Sequence, residues 1–441
     1  MFIVAMRIFK IGKRRWKSEE NIIKALNTCQ KGGMMHYCKA LRTIVIILVA
    51  GCMVCFSSQP TPIWAGGLYL QEFGTPSMGV ASAGAEAVAV DASTAWHNPA
   101  GMTRLDGKQL MVVGGLAYSR VKFDQAPGNI VSGGNGGDAG GPAPIGGAFY
   151  SQSLSENLKL GISLYSISGA LLDYDNSWVG RYQCQEVSIF TVTMNPSIAY
   201  RVNDWLSIGG GPAVVYGELD LEVAAPPTDG TGKVELDGDD WEVGFNGGIL
   251  VDFNERTRLG LLYFSGWNLE FSGDIKIQGL GITAGTDTEL DMPQMVRLGA
   301  YHEINNRLAL LGTVAWEEWS DLDKVNISTG SGGAALDKNW DDVWHFAAGI
   351  HYRLAQPMLL QFGIAYDTSP VDSDDRTADM PIDRQIRYAC GVQYEYSDNV
   401  TLGTQFEYID MGDAEIEGVL LNGDYKTNEI YVLAINVNWK F

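Results

Sequence analysis

The sequence predicts an all-β protein: a 14-stranded antiparallel transmembrane β-barrel with an N-terminal plug, or hatch, inside its lumen. Three observations support this fold. Apolar residues alternate with polar or small residues along many short segments, and this period of two gives a strand one lipid-facing side and one lumen-facing side. Short turns alternate with long loops rich in Gly and Asp. No apolar run approaches the length of about 20 residues that a membrane-spanning helix needs.

The composition excludes several classes of protein. Apolar residues make up 46% of the 441 residues and charged residues 19%, so the chain has enough apolar surface to fold. The net charge is −21, and the first 65 residues hold ten basic but only two acidic residues. The remainder is therefore more acidic still, and no nucleic-acid partner is expected. Outside that segment only Cys184 and Cys390 remain, too few for a disulfide scaffold or a thiolate metal cluster.

Residues 1–65 are predicted to be a leader that contains a signal peptide. Lys39 and Arg42 precede an uncharged apolar run at 44–56, which is too short to cross a bilayer as a helix. A cleavage site that ends at Ala65 completes the pattern of an export signal. Because the first 33 residues are unusually basic for such a signal, Met34 is an alternative start.

Two other interpretations of the leader stay open. The apolar run is also compatible with a buried core helix. Val49-Ala50-Gly51-Cys52 looks like the lipid-attachment box of bacterial lipoproteins, although it falls in the middle of the apolar run. In the export and lipoprotein readings alike the chain leaves the cytoplasm.

Residues 66–107 are predicted to form the plug. This segment is rich in Gly, Ala and Ser, lacks alternation, and contains a plausible short helix at Ala85–Asp91. Exposed in the periplasm, about forty such residues would have little of their own to bury. We therefore expect them inside the lumen.

Residues 108–441 are predicted to form the barrel. Six short turns and seven long loops join fourteen strands, an even number with both chain ends on the short-turn, periplasmic side. The predicted turns are 155–157, 203–204, 254–256, 305–306, 355–357 and 397–399, and the predicted loops are 126–142, 169–183, 225–233, 279–288, 328–338, 369–383 and 412–425.

The last strand shows the alternation most clearly, and its final aromatic residue, Phe441, resembles the ending of bacterial outer-membrane barrels. Its inward set is predicted to be polar near the periplasm and apolar farther out. Apolar lumen positions favour either a dry pocket for an apolar ligand or packing against the plug; both argue against an open aqueous pore. The inward set is Lys440, Asn438, Asn436, Ala434, Val432 and Ile430.

The plug carries a family resemblance. The segments 67–73, 81–84 and 91–103 resemble the plug of the outer-membrane long-chain fatty acid transporter family (FadL type, with the aromatic-hydrocarbon importers of the TodX type). Asn98-Pro99-Ala100 matches the Asn-Pro-Ala motif of that family. Gln71-Glu72-Phe73 stands where the family has Asn-Glu-Phe, so Gln71 departs from the pattern. The strong match covers about 66–107.

The resemblance implies passive import of hydrophobic molecules. Ligand would enter the lumen from outside, the plug would rearrange, and the ligand would leave sideways through a gap in the wall. Asn98, Pro99 and Ala100 would then hold the plug against an inward kink of the third strand, near 158–168; alternatively the motif only caps the fold of the plug. The candidate ligand contacts at the start of the plug are Leu68, Gln71, Glu72 and Phe73.

Two arginines are candidate partners for a fatty-acid carboxylate. By alternation Arg297 and Arg387 point inward at mid-strand, and a carboxylate in a dry lumen needs a cation. The alternative is that each arginine forms an ion pair with a lumen carboxylate.

The sequence indicates no enzyme, cofactor or metal site. No phosphate-cradling Gly loop precedes a helix, and the Asp-rich run at 237–240 is interpreted as solvated loop charge in preference to a calcium site. The expected partners are hydrophobic small molecules (fatty acids or hydrocarbons) and outer-membrane lipid, and the chain is expected to be a monomer. The alternatives are a nonspecific porin or surface barrel and, less favoured, an outer-membrane lipase.

Overall fold

Antiparallel strands occupy most of the chain after Lys108. The computed structural model describes residues 70–166, 169–225, 232–277, 282–322, 324–329 and 332–441. The predicted leader and the candidate Leu68 lie outside the described residues. Among the helices of the described segments, none is long and apolar enough to cross a membrane.

The first half of the barrel contains ten strand segments. They are β1 (Lys108–Gln125), β2 (Pro142–Ser153), β3 (Leu158–Tyr165), β4 (Gly169–Asp173), β5 (Glu186–Arg201), β6 (Leu206–Ala224), β7 (Lys233–Asn254), β8 (Thr257–Phe264), β9 (Trp267–Ile277) and β10 (Ile282–Met292).

The second half contains ten more. They are β11 (Met295–Asn305), β12 (Leu308–Glu317), β13 (Lys324–Thr329), β14 (Gly332–Asp337), β15 (Val343–Ala355), β16 (Met358–Asp367), β17 (Gln385–Ser397), β18 (Val400–Asp410), β19 (Ile416–Glu417) and β20 (Asn422–Lys440).

These segments build fourteen wall strands in the described part of the chain. Five of the wall strands are each made of two segments (β3 with β4, β8 with β9, β10 with β11, β12 with β13, and β14 with β15), and β19 only extends the edge of β20. The sheet closes because β1 pairs with β20 from Gln109↔Lys440 to Gln125↔Gly423. The predicted closed barrel of fourteen antiparallel strands is therefore confirmed.

Alternation along the strands separates a lipid face from a lumen face. In β20 the inward side chains from Ile430 to Asn438 are buried, whereas Leu433, Ile435 and Trp439 are exposed, as predicted from the sequence. The outward band is apolar because it faces hydrocarbon. Other large apolar side chains exposed on it include Val112, Leu116, Ile198, Leu298, Phe346 and Ile364.

All six predicted short turns connect neighbouring strands, but several predicted loops are partly strand, two of them over most of their length. Residues 282–292 belong to β10, which pairs with β9, and the segments 324–329 and 332–337 form the hairpin of β13 and β14. The Asp-rich run at 237–240 is also strand, within β7. Strands with many polar residues, such as these, resemble loops in a sequence. Where the wall extends beyond the hydrocarbon layer, its outward face meets water and therefore tolerates charged residues.

The segment before the barrel, Leu70 to Gly107, contains only short helices, and β1 follows at Lys108. The plausible helix at Ala85–Asp91 is present as one turn. These helices pack against strands from several parts of the barrel, and most of their residues are buried. They are the 3-10 helices Pro76–Val80 and Pro99–Arg104 and the α-helices Ala85–Val88 and Thr94–His97.

Candidate functional site

Glycines in the wall let the plug (residues 70–107) lie directly against the strands. A Cβ atom at Gly260 would collide with the carbonyl group of Glu86, and one at Gly363 with the backbone of Val80. The missing side chains therefore allow backbone to contact backbone, which a larger residue would prevent. Plug backbone also approaches Gly209, whereas Gly161, Gly248 and Gly299 make room for the side chains of Met102, Asn98 and Glu86.

Asn98 links two parts of the plug to the wall. Its Nδ2 donates to the carbonyl oxygen of Glu86 at 2.8 Å and to that of Ile249 in β7 at 2.9 Å. Its Oδ1 accepts from the backbone N–H of Ala100 at 3.1 Å, which caps the 3-10 helix that Pro99 begins. One side chain thus both caps the plug and fastens it to β7.

The Asn-Pro-Ala motif lies mainly against a different part of the wall from the one expected. Asn98, Pro99 and Ala100 face β6 and β7, at Gly209 and Gly248. The helix that Pro99 begins reaches the third strand farther along, where Met102 lies against Gly161. Period-two patterns fix which face of a strand points inward, but they do not fix which wall strand a plug residue meets.

The pairing of β2 with the third wall strand nevertheless ends early in the described residues. Pairing between β2 and β3 ends at Gly147↔Tyr165, and β4 pairs with β5. Within the described residues, the part of β2 from Pro142 to Gly146 pairs with β1 only. The two prolines of that part, at 142 and 144, lack the N–H that a second ladder would need. An opening in the ladder thus lies between β2 and β4.

Plug residues other than the motif cover this opening. The ring of Trp96 stands 4.0 Å from the ring of Tyr165, measured between centroids. The backbone at Gly74, which has a φ of +75°, lies against Gly146 and Gly147, where a Cβ atom would be too close. Trp96 and Gly74 therefore hold the plug beside the end of β3.

Arg297 forms a buried ion pair with the plug. Its Nε lies 2.6 Å from Oε1 of Glu86, and both side chains are almost fully buried. The guanidinium also donates to Oγ of Ser82 at 2.5 Å, and Thr313 donates to Oε2 of Glu86 at 2.8 Å. Burial alone would raise the pKa of Glu86, but the charge of Arg297, together with the hydrogen bonds from Arg297, the backbone and Thr313, lowers it.

Arg387 occupies a second buried cluster. It forms ion pairs with Glu72 of the plug and with Asp367 of β16, the latter at 3.0 Å, and Asp367 in turn lies 2.5 Å from Nδ1 of His345. Gln71 donates to Oε1 of Glu317 at 3.0 Å. The prediction that both arginines point inward is confirmed, and in the structure both pair with carboxylates of the protein.

Sequence reasoning placed Glu72 and Arg387 in one set but missed the residues that complete the two clusters. Glu86 was seen only as part of a short helix, although it is the lone acid in a run of small residues. Trp96 stood inside the quoted motif region without a role. Asp367 and His345 gave no signal, because neither lies near the plug in the sequence.

Two further regions lie at the two ends of the lumen. On the periplasmic side a cavity of about 810 Å³ is lined mainly by polar residues, among them Asp91, Glu303, Arg353 and Lys440. At the opposite end, Tyr174 and Trp178 of the loop after β4 pack against Tyr425 of β20. The rings of Tyr174 and Trp178 stack at 4.0 Å, and the hydroxyls of Tyr174 and Tyr425 lie 2.8 Å apart.

Comparison with known proteins gives a consistent family. The family model described as "Outer membrane protein transport protein (OMPP1/FadL/TodX)" matches residues 53–441. The long-chain fatty acid transport protein of Escherichia coli O6:H1 is 24% identical over 429 residues, which cover 86% of this chain and 96% of that protein. Outer membrane protein P1 of Haemophilus influenzae is 26% identical over 413 residues, 82% of this chain and 90% of its own.

Two solved structures show the same fold. A FadL homologue of Pseudomonas aeruginosa superposes with a TM-score of 0.78 at 19% identity, over 86% of this chain and all of that one. The toluene transporter TbuX of Ralstonia pickettii superposes with a TM-score of 0.65 at 16% identity, over 84% of this chain and 99% of that one. At these identities the likeness concerns the fold.

The ion pair between Glu86 and Arg297 is expected to fasten the plug. Glu86→Gln leaves the buried guanidinium without its counter-charge, and breaking such a pair costs about 3 kcal/mol. Amide hydrogen exchange in 76–97 should therefore speed up while the barrel stays folded. Glu255→Gln, in an exposed turn, is the control and should change nothing. Equal exchange in both variants would contradict the role.

Docking of the plug is expected to weaken in mild acid through His97. Burial lowers the pKa of His97 to about 4, whereas a solvated histidine titrates near 6.5. The undocked plug therefore binds more protons below pH 6.5, and stability is lost as the pH falls. Between pH 7.5 and 5.5 we expect a loss of about 1.4 kcal/mol.

Hydrogen exchange of the plug, corrected for the intrinsic effect of pH, measures this loss. His97→Gln should remove most of the dependence in that range. Glu72 and Glu86 contribute only at lower pH, because both have a lowered pKa when docked. A pH dependence that persists in His97→Gln would refute the assignment.

Proposed function

Because the chain belongs to the outer membrane protein transport protein family (OMPP1/FadL/TodX), we propose that it imports hydrophobic compounds by passive diffusion through a plugged lumen. It is a multi-pass protein of the bacterial outer membrane and a transport protein, not an enzyme. Cargo enters from the extracellular side, passes the plug and leaves sideways into the membrane.

The interruption between β2 and β4 carries this proposal. A barrel wall in hydrocarbon normally pairs every backbone group, because an unpaired group there is costly. Here the ladder stops at Tyr165, and the side chain of Trp96 covers the site. An aromatic cover on a ladder opening suits an apolar molecule that moves between lumen and lipid, and no such opening is needed for an aqueous pore.

The cargo class follows from the relatives. The curated relatives include long-chain fatty acid transport proteins, and the structural neighbours include a toluene transporter. We propose long-chain fatty acids or neutral hydrocarbons as cargo. We also propose a monomer, since the pairing of β1 with β20 leaves no open sheet edge for a second copy.

Leu68, Gln71, Glu72 and Phe73 remain proposed ligand contacts. Phe73 is buried in the same apolar cluster as Trp319 and Trp340. Trp319 and Trp340 line a small cavity that reaches Arg387. The cavity measures only about 30 Å³, so an apolar chain would enter it only after the indoles of Trp319 and Trp340 move apart. Its head group would then reach Arg387, where a carboxylate would compete with Glu72.

The Asn-Pro-Ala motif is expected to affect uptake without affecting the barrel. Asn98→Ala with Pro99→Ala removes the bonds to Glu86 and Ile249, which weakens docking by about 2 kcal/mol. Trp96 then loses its fixed position beside Tyr165, and uptake should slow. Transfer of a fatty acid or of toluene into proteoliposomes measures the uptake rate. Single-channel recording checks that no open pore forms. Normal uptake by a correctly inserted variant would contradict a gating role.

Arg387 is expected to matter for acidic cargo. Arg387→Met keeps an apolar stem and removes the charge, so fatty-acid affinity should fall about tenfold while hydrocarbon affinity stays the same. Glu72→Gln is the matched variant: it removes the competing carboxylate and should raise fatty-acid affinity. Equal changes for both ligands in Arg387→Met would show that Arg387 only fastens the plug.

A further inference from the structure

The wall has a second interruption, between β7 and the wall strand made of β8 and β9. Pairing of β7 with β8 stops at Asn246↔Phe264, and pairing of β7 with β9 resumes at Asp239↔Ser272. The residues in between are all described, and the register contains none of their cross-strand pairs. Beyond one further backbone hydrogen bond, from the N–H of Ser265 to the carbonyl oxygen of Phe245 at 2.9 Å, five residues of β7 (240–244) face six residues of the neighbouring strand (266–271) without a regular ladder.

Side chains replace the missing ladder at both ends of this interruption. Oγ of Ser265 accepts from the backbone N–H of Phe245 at 2.8 Å, and Oδ2 of Asp240 accepts from the backbone N–H of Glu270 at 2.9 Å. At the Phe245 end the two backbones stay in contact, because the N–H of Ser265 also donates to the carbonyl oxygen of Phe245 at 2.9 Å. At the Asp240 end the carboxylate bridges the two strands, which indicates that the backbones lie farther apart there. One side chain covers the interruption from the lumen.

The indole of Trp267 is the cover. Trp267 is only 5% exposed, and a Cβ atom at Gly244 would stand 3.5 Å from its ring, so the ring packs on the bare backbone of β7. Because Gly244 has no side chain, the ring of Trp267 and the hydroxyl of Ser265 fill the lumen side at that point.

Both sides of the cover are apolar. On the lipid side Trp241, Val243 and Phe245 are 54%, 63% and 55% exposed. On the lumen side the ring of Trp267 lies 5.3 Å from that of Phe264.

From Phe264 the row of rings continues across the lumen. The ring of Phe264 lies 5.3 Å from that of Trp96, and Trp96 lies 4.0 Å from Tyr165. The four rings therefore run from the second interruption to the opening between β2 and β4.

The charges beside the interruption select against anions. Asp240 and Glu242 occupy lumen-facing positions of β7, as the alternation with exposed Trp241 and Val243 shows. A fatty-acid carboxylate that passed them would meet like charge in a poorly hydrated place, whereas a neutral hydrocarbon would not.

We propose that the interruption between β7 and β8–β9 is a second lateral port, gated by Trp267, through which neutral hydrocarbons already dissolved in the membrane reach the lumen. The port rests on the proposed import function and adds a route that bypasses the extracellular loops. Molecules that enter there follow the row of aromatic rings to the plug.

A photoreactive probe tests the port directly. An alkyl diazirine without a charged group is dissolved in the bilayer of proteoliposomes, and the labelled residues are identified by mass spectrometry. We expect labelling at Phe264, Trp267 and Gly244. A diazirine fatty acid in the same bilayer should leave these residues unlabelled. In the double variant Asp240→Asn with Glu242→Gln the fatty acid should label them, because the negative charges are gone. The amide at 240 still accepts the hydrogen bond from the N–H of Glu270, so the local structure is kept.

Variants of the cover give the rate. Trp267→Ala should speed the transfer of the neutral probe from bilayer to lumen by about two- to tenfold, the factor that corresponds to one lost aromatic contact. Trp267→Phe should show a smaller increase, which keeps the test valid if the alanine variant folds poorly. Trp344→Ala, on the lipid face of β15, is the control and should leave transfer unchanged.

The possible failures are distinguishable. If the neutral probe labels only Trp96 and Tyr165, and both Trp267 variants behave as Trp344→Ala does, the second port is refuted while import stands. If the unsubstituted protein moves no probe from either the water or the bilayer, the proposed function itself fails, and the port fails with it.

Discussion

The requirement that backbone groups in hydrocarbon be paired inside the protein controls this molecule. It explains the closed ladder, in which β1 meets β20 over almost their full lengths. It also explains why particular residues occur where the ladder stops. At the end of β3 the neighbouring strand carries prolines, and beside β7 the hydroxyl of Ser265 and the carboxylate of Asp240 accept the N–H groups. At each interruption the sequence either lacks the backbone N–H groups or supplies side-chain acceptors for them. The interruptions are therefore specific features of this wall.

The plug depends on the opposite kind of interaction, buried charge. Glu72 and Glu86 are paired with Arg387 and Arg297 on distant wall strands. Such pairs contribute little net stability compared with apolar packing, but breaking one is costly and the geometry is specific. They therefore set where the plug sits. The wall glycines allow the approach, and the ion pairs select the position.

The sequence determined more of the wall than of the plug contacts. A period of two is enough to predict that Arg297, Arg387 and the apolar set of β20 point inward, because a strand has only two faces. It cannot predict that Arg297 meets Glu86, since 211 residues separate them and the plug has no period. The sequence predicts a loop over most of β10 because that strand lies above the hydrocarbon and carries many polar residues. The Asn-Pro-Ala motif is recognisable in the sequence, but no sequence pattern identifies the wall strands that it contacts.

Backbone strain connects the ion pairs to movement of the plug. Ala81, Ser82 and Ala89 have φ values of 49°, 68° and 45°, a region that costs a residue with a side chain about 1–2 kcal/mol. Arg297 binds Ser82 directly and Glu86 between the strained positions. The same guanidinium thus compensates for the strain and fixes the charge. Once that pair opens, relief of the strain favours further displacement, so loss of the ion pair and release of the strained backbone are expected to reinforce each other.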